Sequence, residues 1–315
     1  MGMKLVIQIP CYNEEKTLPI TAADLPKAIE GIDCIETVVV DDGSWDKTVA
    51  VAKALKIDHI VEFKHHKGLS RAYAAGIEKS LEVGADIIVN TDADNQYCGN
   101  DIARLVKPIL SGQADVVIGD RRPEKVPHFS WFKRLLQKFG NRIIKKLSDL
   151  DINDAVSGFR AYSRDAAIRI NILTEFSYTI ENIFQLTNQK LKIISVPVKT
   201  NGVLRRSRLF KSIPYFLAQQ VATILRVMAT YKALKVFTMI GVMLIIPGLL
   251  GFIRFLYFYF VAGSGGGHIQ SLIFSMLLMN VGFIVFVVGI VADLISTNRK
   301  LLEKILYRLK KKDFE

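Results

Sequence analysis

Residues 90–97 read NTDADNQY, so Asp92 and Asp94 stand two apart directly after the apolar run that ends at Val89. Two carboxylates this close repel each other unless something positive lies between them. On an irregular turn both can face one divalent cation, which shares its remaining coordination with phosphate oxygens. Hard oxygen ligands select Mg2+ or Mn2+ over metals that prefer softer donors. A cation so placed bridges a diphosphate and stabilises the charge that develops as it departs. A second acidic pair, Asp41 and Asp42, closes the run IETVVV and leads into Gly43-Ser44, which is also plain turn chemistry. His65 and His66 have no carboxylate or cysteine at ligand spacing and are expected in a solvated loop. Cys11, Cys34 and Cys98 are scattered and are expected as free thiols.

These groups need a frame that presents them together. KLVIQIP (4–10), IETVVV (35–40), HIVEFK (59–64), ADIIVNTD (85–92) and ADVVIGD (114–120) read as strands. Between them helices are expected over about 15–30, after Asp46 as an N-cap, over 68–82 and near 100–111. Strands alternating with helices predict an α/β domain with a mostly parallel sheet. In such sheets ligands bind at the carboxyl ends of the strands, where both acidic pairs fall.

The C-terminal part has a different character. VFTMIGVMLIIPGLLGFI (236–253) and LIFSMLLMNVGFIVFVVGIVA (272–292) carry no charge, and each approaches the roughly 20 apolar residues that a membrane span needs. Two buried core helices are the alternative. Pro247 fits a span better than a soluble helix. AGSGGGH (262–268) is a short connection, so a hairpin is expected. Lys and Arg crowd both of its outer ends, which puts those ends in the cytoplasm. Tyr257 and Tyr259 suit an aromatic belt on the far face, and Arg254 can snorkel to it. The first ten residues do not have the pattern of a signal peptide. From Arg121 to Leu147 nine Lys or Arg accompany one Glu, and FSWFKRLLQKFGNRIIKKL (129–147) reads as a basic amphipathic helix on a membrane surface or on the sheet. The expected organisation is a catalytic domain over 1–200, a basic loop and juxtamembrane helix over 201–235, two spans over 236–296 and a basic tail over 297–315. The net charge of +12 favours anionic membrane lipids over nucleic acid as a partner.

Six motifs in order now point one way: PCYNEE (10–15), VVVDDGSWDKT (38–48), GLSRAYAAGI (68–77), NTDADNQY (90–97), GDRR (119–122) and SGFRAYS (157–163). The set resembles glycosyltransferase family 2, and most closely its polyprenyl-phosphate hexosyltransferases, over residues 4–211. The resemblance implies the GT-A fold, a Rossmann-like sheet. It implies an inverting, metal-dependent transfer of a hexose from a nucleotide diphosphate sugar, UDP- or GDP-linked, to a polyprenyl phosphate. By that resemblance Pro10, Tyr12, Glu14, Asp41, Asp42 and Gly68 hold the nucleotide, and Asp92, Asp94 and Gln96 hold Mg2+ or Mn2+. Arg121 or Arg122 contacts the phosphates, where a guanidinium fork is well suited. Ser157 and Arg160 with Arg205, Arg206 and Arg208 are the expected acceptor-phosphate contacts. Asp154 and Glu181 occupy catalytic positions, as base or only as orienting groups. A phosphate monoester has a second pKa of about 6, so it needs little help from a base at neutral pH.

Two other readings share these residues. A glycan or glycolipid hydroxyl could be the acceptor, although Trp45 and Trp131 are the only tryptophans and neither forms the QxxRW motif of processive synthases. A non-catalytic nucleotide-sugar-binding scaffold is the other, against which the intact Asp92, Asp94 and Gln96 speak. The sequence leaves self-association open.

Overall fold

The run KLVIQIPC forms β1 (Lys4–Cys11), whose residues from Leu5 onward are all buried. A strand buried on both faces belongs at the centre of a parallel sheet. The computed structural model, which describes residues 2–122, 145, 150, 152–172, 178–202, 222, 233–261, 263 and 268–314, puts it there. β2 (Cys34–Asp41) and β4 (Ile87–Asn90) flank β1 in parallel, and β3 (His59–Glu62) continues beyond β2. β5 (Val116–Asp120), β6 (Arg160–Ser163) and β7 (Ile193–Pro197) complete a seven-stranded sheet of order β3-β2-β1-β4-β6-β5-β7. β6 runs antiparallel to both β4 and β5, while β5 and β7 are parallel. The core joins Leu5, Ile7, Ile9, Val39, Ile87 and Val89 to Ile102, Leu105 and Phe159. Burying each large side chain contributes about 1.5–3 kcal/mol.

The helices position the strand ends. α1 (Leu18–Asp24) is shorter than the helix expected over 15–30. Pro26 forces the preceding Leu25 into an extended conformation, with φ −66° and ψ 141°, and ends the helix there. Ahead of α2 (Thr48–Ala54), Asp46 accepts the Thr48 N–H at 2.9 Å and also meets the Thr48 hydroxyl. α3 (Leu69–Glu82) begins after Gly68, whose φ of 95° suits glycine. It lies so close to β1 that a Cβ on Gly76 would stand 2.0 Å from Gln8 Oε1. α4 (Ile102–Leu110) follows a 3-10 turn over Gly99–Asp101. α5 (Arg164–Ile168) and α6 (Tyr178–Asn188) flank the region between β6 and β7.

Two further helices, α7 (Ala233–Phe260) and α8 (Ile269–Phe314), cover both uncharged runs. Both are long and apolar enough to cross a membrane, with mean hydropathy of 2.4 and 2.5 in their most apolar windows. The 46-residue α8 runs on through the basic tail. The chain divides into two compact units, Met1–Thr223 with Ile305–Glu315, and Ile224–Lys304. Within the second unit small residues make the helix seam. A Cβ on Gly241 would lie 2.8 Å from the Gly282 carbonyl, and one on Gly289 would lie 2.7 Å from Phe237 Cβ. Ser275, Gly282, Gly289 and Ser296 are buried at seven-residue intervals, whereas Ile273, Phe274, Phe283 and Ile284 face outward. Within the first unit the final turns of α8 pack on α5 and the residues after it. Tyr307 donates its phenol proton to Asp165 at 2.6 Å, and the Arg169 guanidinium lies 4.1 Å from the Tyr307 ring centre.

Candidate functional site

The carboxyl ends of β1, β2 and β4 and the segment entering β6 converge at one pole of the sheet. Pro10 is buried in β1 opposite Val40, and the chain leaves β1 through Tyr12 and Asn13. Asn13 adopts φ 55°, donates its N–H to Ser44 at 2.8 Å and accepts the Trp45 N–H at 3.0 Å. The turn after β1 is thereby tied to the turn after β2. Glu14 is buried, takes the Thr17 hydroxyl on its carboxylate and donates its N–H to Thr48 at 2.8 Å.

Asp41 and Asp42, each 2% exposed, have separate tasks. Asp41 accepts the Ser44 N–H at 3.0 Å through Oδ2, whereas its Oδ1 is buried with no partner among the described residues. A buried orphan acceptor is costly unless a ligand satisfies it. Asp42 receives the N–H groups of Lys67 at 2.7 Å and Gly68 at 2.9 Å, and pairs with His66 Nδ1 at 2.9 Å. His66 in turn stacks on Tyr12 with ring centres 4.1 Å apart. The loop is solvated as expected, with His65 and His66 exposed, and it is also clamped to the β2 end. Gly43, at φ 70°, permits this, since a Cβ there would stand 2.5 Å from His65 carbonyl carbon.

Asp92 and Asp94 follow β4 on a turn and are both half-buried, with the buried Ala93 between them. The Ala93 carbonyl accepts the Thr21 hydroxyl at 2.9 Å, which pins the turn to α1. The Gln96 backbone N–H reaches Asp94 at 3.2 Å. Behind the turn lies a buried polar layer. Gln8 donates to Asn90 at 3.0 Å, and Asn90 donates to the Gly158 carbonyl at 2.7 Å and to the Tyr178 phenol at 3.2 Å. Gly158 donates to the Tyr97 phenol at 3.2 Å, and a Cβ added to it would lie 3.1 Å from Asp92 Oδ1. A side chain there would force this carboxylate to give way by a few tenths of an ångström.

Arg121 and Asp154 form the strongest charged contact at this pole. The Arg121 fork donates through Nε to Oδ2 at 2.6 Å and through Nη2 to Oδ1 at 2.9 Å, and Asp154 is wholly buried. The guanidinium lies over the Tyr97 ring, 5.9 Å from its centre. Burial pushes the Tyr97 phenol up to about 12, Arg121 opposes the shift, and Asp92 and Asp154 add to it. Burial disfavours the Arg121 cation, yet Tyr97, Asp154 and Asp92 outweigh it and hold the group above its ordinary range. Arg122 is exposed, takes φ 50° and donates its N–H to Asp120 at 2.7 Å.

Two of the expected acceptor contacts, Arg160 and Ser157, are placed in the interior. Arg160 is 1% exposed and spends its guanidinium on the carbonyls of Ser157 at 2.8 Å, Thr179 at 2.9 Å and Ala155 at 2.8 Å. It builds the wall behind the site. Ser157 is equally buried, and its hydroxyl accepts the Phe159 N–H at 3.4 Å. Glu181 is buried in the first turn of α6. Arg205, Arg206 and Arg208 lie outside the described residues, as does the expected helix over 129–147 apart from Lys145. The segment just before those arginines is placed. Asn201 donates its N–H to the Gln96 carbonyl at 2.9 Å, and Thr200 bridges Tyr97.

Tyr97, Tyr178 and Asn90 are structural participants that residue type alone does not single out. Their signal was position: Asn90 and Tyr97 bracket the acidic turn, and Tyr178 stands three residues before Glu181. The donor set fits a hard divalent cation. Asp92 and Asp94 offer carboxylate oxygens at the turn, and no group of three or more His, Cys, Asp or Glu among the described residues could hold a metal alone. Such a cation needs further oxygens from a diphosphate or water.

The model of the family described as glycosyl transferase family 2 matches residues 6–170. Polyprenol monophosphomannose synthase of Mycolicibacterium smegmatis is 28% identical over 206 residues, covering 62% of this chain and 76% of its own. UDP-N-acetylglucosamine–dolichyl-phosphate N-acetylglucosaminyltransferase of Methanococcus voltae is 30% identical over 225 residues, covering 64% of this chain and 87% of its own. Glucosyl-3-phosphoglycerate synthase from Mycobacterium tuberculosis, crystallised with Mn2+ and UDP-glucose, superposes with a TM-score of 0.54 at 19% identity. That likeness covers 72% of this chain and 78% of the other, and it is one of fold.

Proposed function

The chain belongs to glycosyl transferase family 2 and is a glycosyltransferase, and on that premise we propose that it transfers a hexosyl group from a UDP- or GDP-linked sugar to a polyprenyl phosphate. One observation carries the reading. The half-buried Asp92 and Asp94 meet the buried pair Asp41 and Asp42 at one pole of the sheet, in a chain that also has two helices of spanning length. Support for the acceptor comes from relatives whose names specify polyprenol and dolichyl phosphate chemistry.

Asp41 offers its unpartnered Oδ1 to a nucleoside N–H or O–H. Tyr12 and His66, the latter paired with Asp42, form a stacked aromatic wall at the same strand ends. Asp92 and Asp94 would hold Mg2+ or Mn2+, which would supply charge stabilisation for the departing nucleoside diphosphate. An oxygen of the acceptor phosphate attacks the anomeric carbon from the face opposite the diphosphate. The new C–O bond forms as the bond to the leaving oxygen breaks, and the anomeric configuration inverts. No proton need be removed, because a phosphate monoester with a second pKa of about 6 is already an anion. The buried Asp154 and Glu181 accordingly orient neighbouring groups. Arg122 at the exposed rim, and Arg205, Arg206 and Arg208 after the Asn201–Gln96 contact, receive the acceptor phosphate. The catalytic unit and both basic flanks of the helices lie on the cytoplasmic face.

The test presents the full chain, in nanodiscs containing a polyprenyl phosphate, with a panel of labelled UDP- and GDP-sugars. Label should enter the lipid phase from at least one donor, in an anomeric configuration opposite to that donor. Donor hydrolysis without any lipid product, or label found only on added glycans, would overturn the reading.

A further inference from the structure

We propose that α8 carries, on a side turned away from α7, a face that pairs with α8 of a second copy of this chain, with the Asn280 amides of the two copies hydrogen-bonded to each other. The inference rests on the reading of α8 as a membrane span and is independent of the chemistry proposed above.

Asn280 is the ninth residue of the 21-residue uncharged run 272–292, roughly 12 Å along the helix from its start. It is exposed, and its one hydrogen bond among the described residues runs from Nδ2 to the Met276 carbonyl at 3.1 Å. The amide oxygen and the second Nδ2 proton are left over. Water does not reach them at this depth, and an unsatisfied polar group in hydrocarbon is costly. α7 does not supply the partner. It packs against Ser275, Gly282 and Gly289, and Asn280 lies about 140° around the helix from Ser275.

The outward residues around Asn280 form a repeat. Ile273, Leu277, Asn280, Ile284, Val287 and Val291 follow one another at intervals of four, three, four, three and four, and all are exposed. That is the spacing of helices paired along a left-handed supercoil, with a single amide among leucine and β-branched side chains. The phase continues through Asn298 to Leu301, which is 53% exposed and stands nine residues beyond the uncharged run. Roughly 13 Å past the hydrocarbon, lipid tails no longer cover a leucine.

A second copy meets both needs. Copies inserted with the same topology present α8 in parallel, so a two-fold axis along the helices brings Asn280 to Asn280 at equal depth. Each amide then offers its partially negative oxygen to the partially positive NH2 group of the other, and both leftover groups are satisfied. The apolar residues on either side of Asn280 likewise meet their own counterparts.

The experiment labels the purified full chain with a donor or an acceptor fluorophore. Energy transfer is followed in phosphatidylcholine vesicles as the lipid-to-protein ratio rises. Wild type should self-associate, and Asn280→Leu should raise the dissociation constant about tenfold, the scale of one amide pair between helices in lipid. Asn280→Gln keeps the amide and should stay near wild type. Ile284→Ala, on the same face, should also weaken association, and it supplies the readout if Asn280→Leu fails to fold. A wild type that stays monomeric at every ratio would mean that lipid or another protein covers this face, and would overturn the inference. Association unchanged in Asn280→Leu, or weakened equally by Leu and Gln, would overturn it too, since the amide pair would not be what joins the copies.

Discussion

Arg121 and Asp154 are joined by two parallel hydrogen bonds of 2.6 and 2.9 Å, which tie the end of β5 to the segment that enters β6. The pair is almost wholly out of water, with side-chain exposures of 10% and 0%. Removing one partner of a buried pair leaves an uncompensated charge and costs about 3–5 kcal/mol. Asp154→Ala should therefore lower the unfolding free energy by about that amount, while Arg121→Met with Asp154→Leu should recover much of the loss. Denaturant unfolding of wild type and the two variants checks this. Equal stability of Asp154→Ala and wild type would contradict it.

The acidic turn makes a functional prediction. Asp92→Asn and Asp94→Asn should each lower transfer by at least about 100-fold, the scale of losing one stabilising group at a developing charge. Melting temperatures should stay near wild type, since both side chains are only half-buried. A chelator should give the same loss, reversed by Mg2+ or Mn2+. Full activity in chelator, together with active variants, would remove the cation from the account.

The helix against β1 gives a prediction about packing. Gly76→Ala puts a Cβ 2.0 Å from Gln8 Oε1, inside the buried layer that leads through Asn90 to Gly158. Overpacking of this kind costs about 1–3 kcal/mol. The variant should melt earlier, and pairing it with Gln8→Ala should restore part of the loss. A Gly76→Ala variant as stable as wild type would show that α3 can move away from β1 at no cost.

The end of α8 gives a prediction about pH. Burial works to raise the Asp165 carboxyl, but hydrogen bonds from Arg169 and Tyr307 outweigh it and hold the group below its ordinary value. A depressed carboxyl contributes stability above the unfolded pKa of about 3.9 and loses it as pH falls through the folded value. Tyr307→Phe should therefore be less stable than wild type at pH 7, and the difference should shrink below about pH 4. Asp165 is partly exposed, so the effect is small and is best read by comparing melts across pH. A difference that grows at low pH would contradict the assignment.

Much of the frame is legible from residue types. β1, β4 and the second half of β2 are apolar runs buried on both faces, and few other structures accommodate such runs. Their ends mark the pole where Asp41, Asp42, Asp92 and Asp94 stand. The short antiparallel β6, RAYS, has no such pattern and is specified by its neighbours β4 and β5. Arg160 shows the limit of reasoning from residue type. A guanidinium within a motif reads as a phosphate ligand, and only the fold shows that three backbone carbonyls also accept hydrogen bonds from it. His66 is exposed as its loop position implies, but its contacts with Asp42 and Tyr12 come only from the fold.

The central claim concerns the acceptor, and one comparison tests it most directly. Purified full chain receives a labelled nucleotide sugar that it accepts, with either a polyprenyl phosphate or the polyprenol of identical chain length that lacks the phosphate. The account predicts sugar-labelled lipid with the phosphate alone, because the attacking oxygen must already be an anion. Equal labelling of the polyprenol, or transfer only to a glycan hydroxyl, would contradict it.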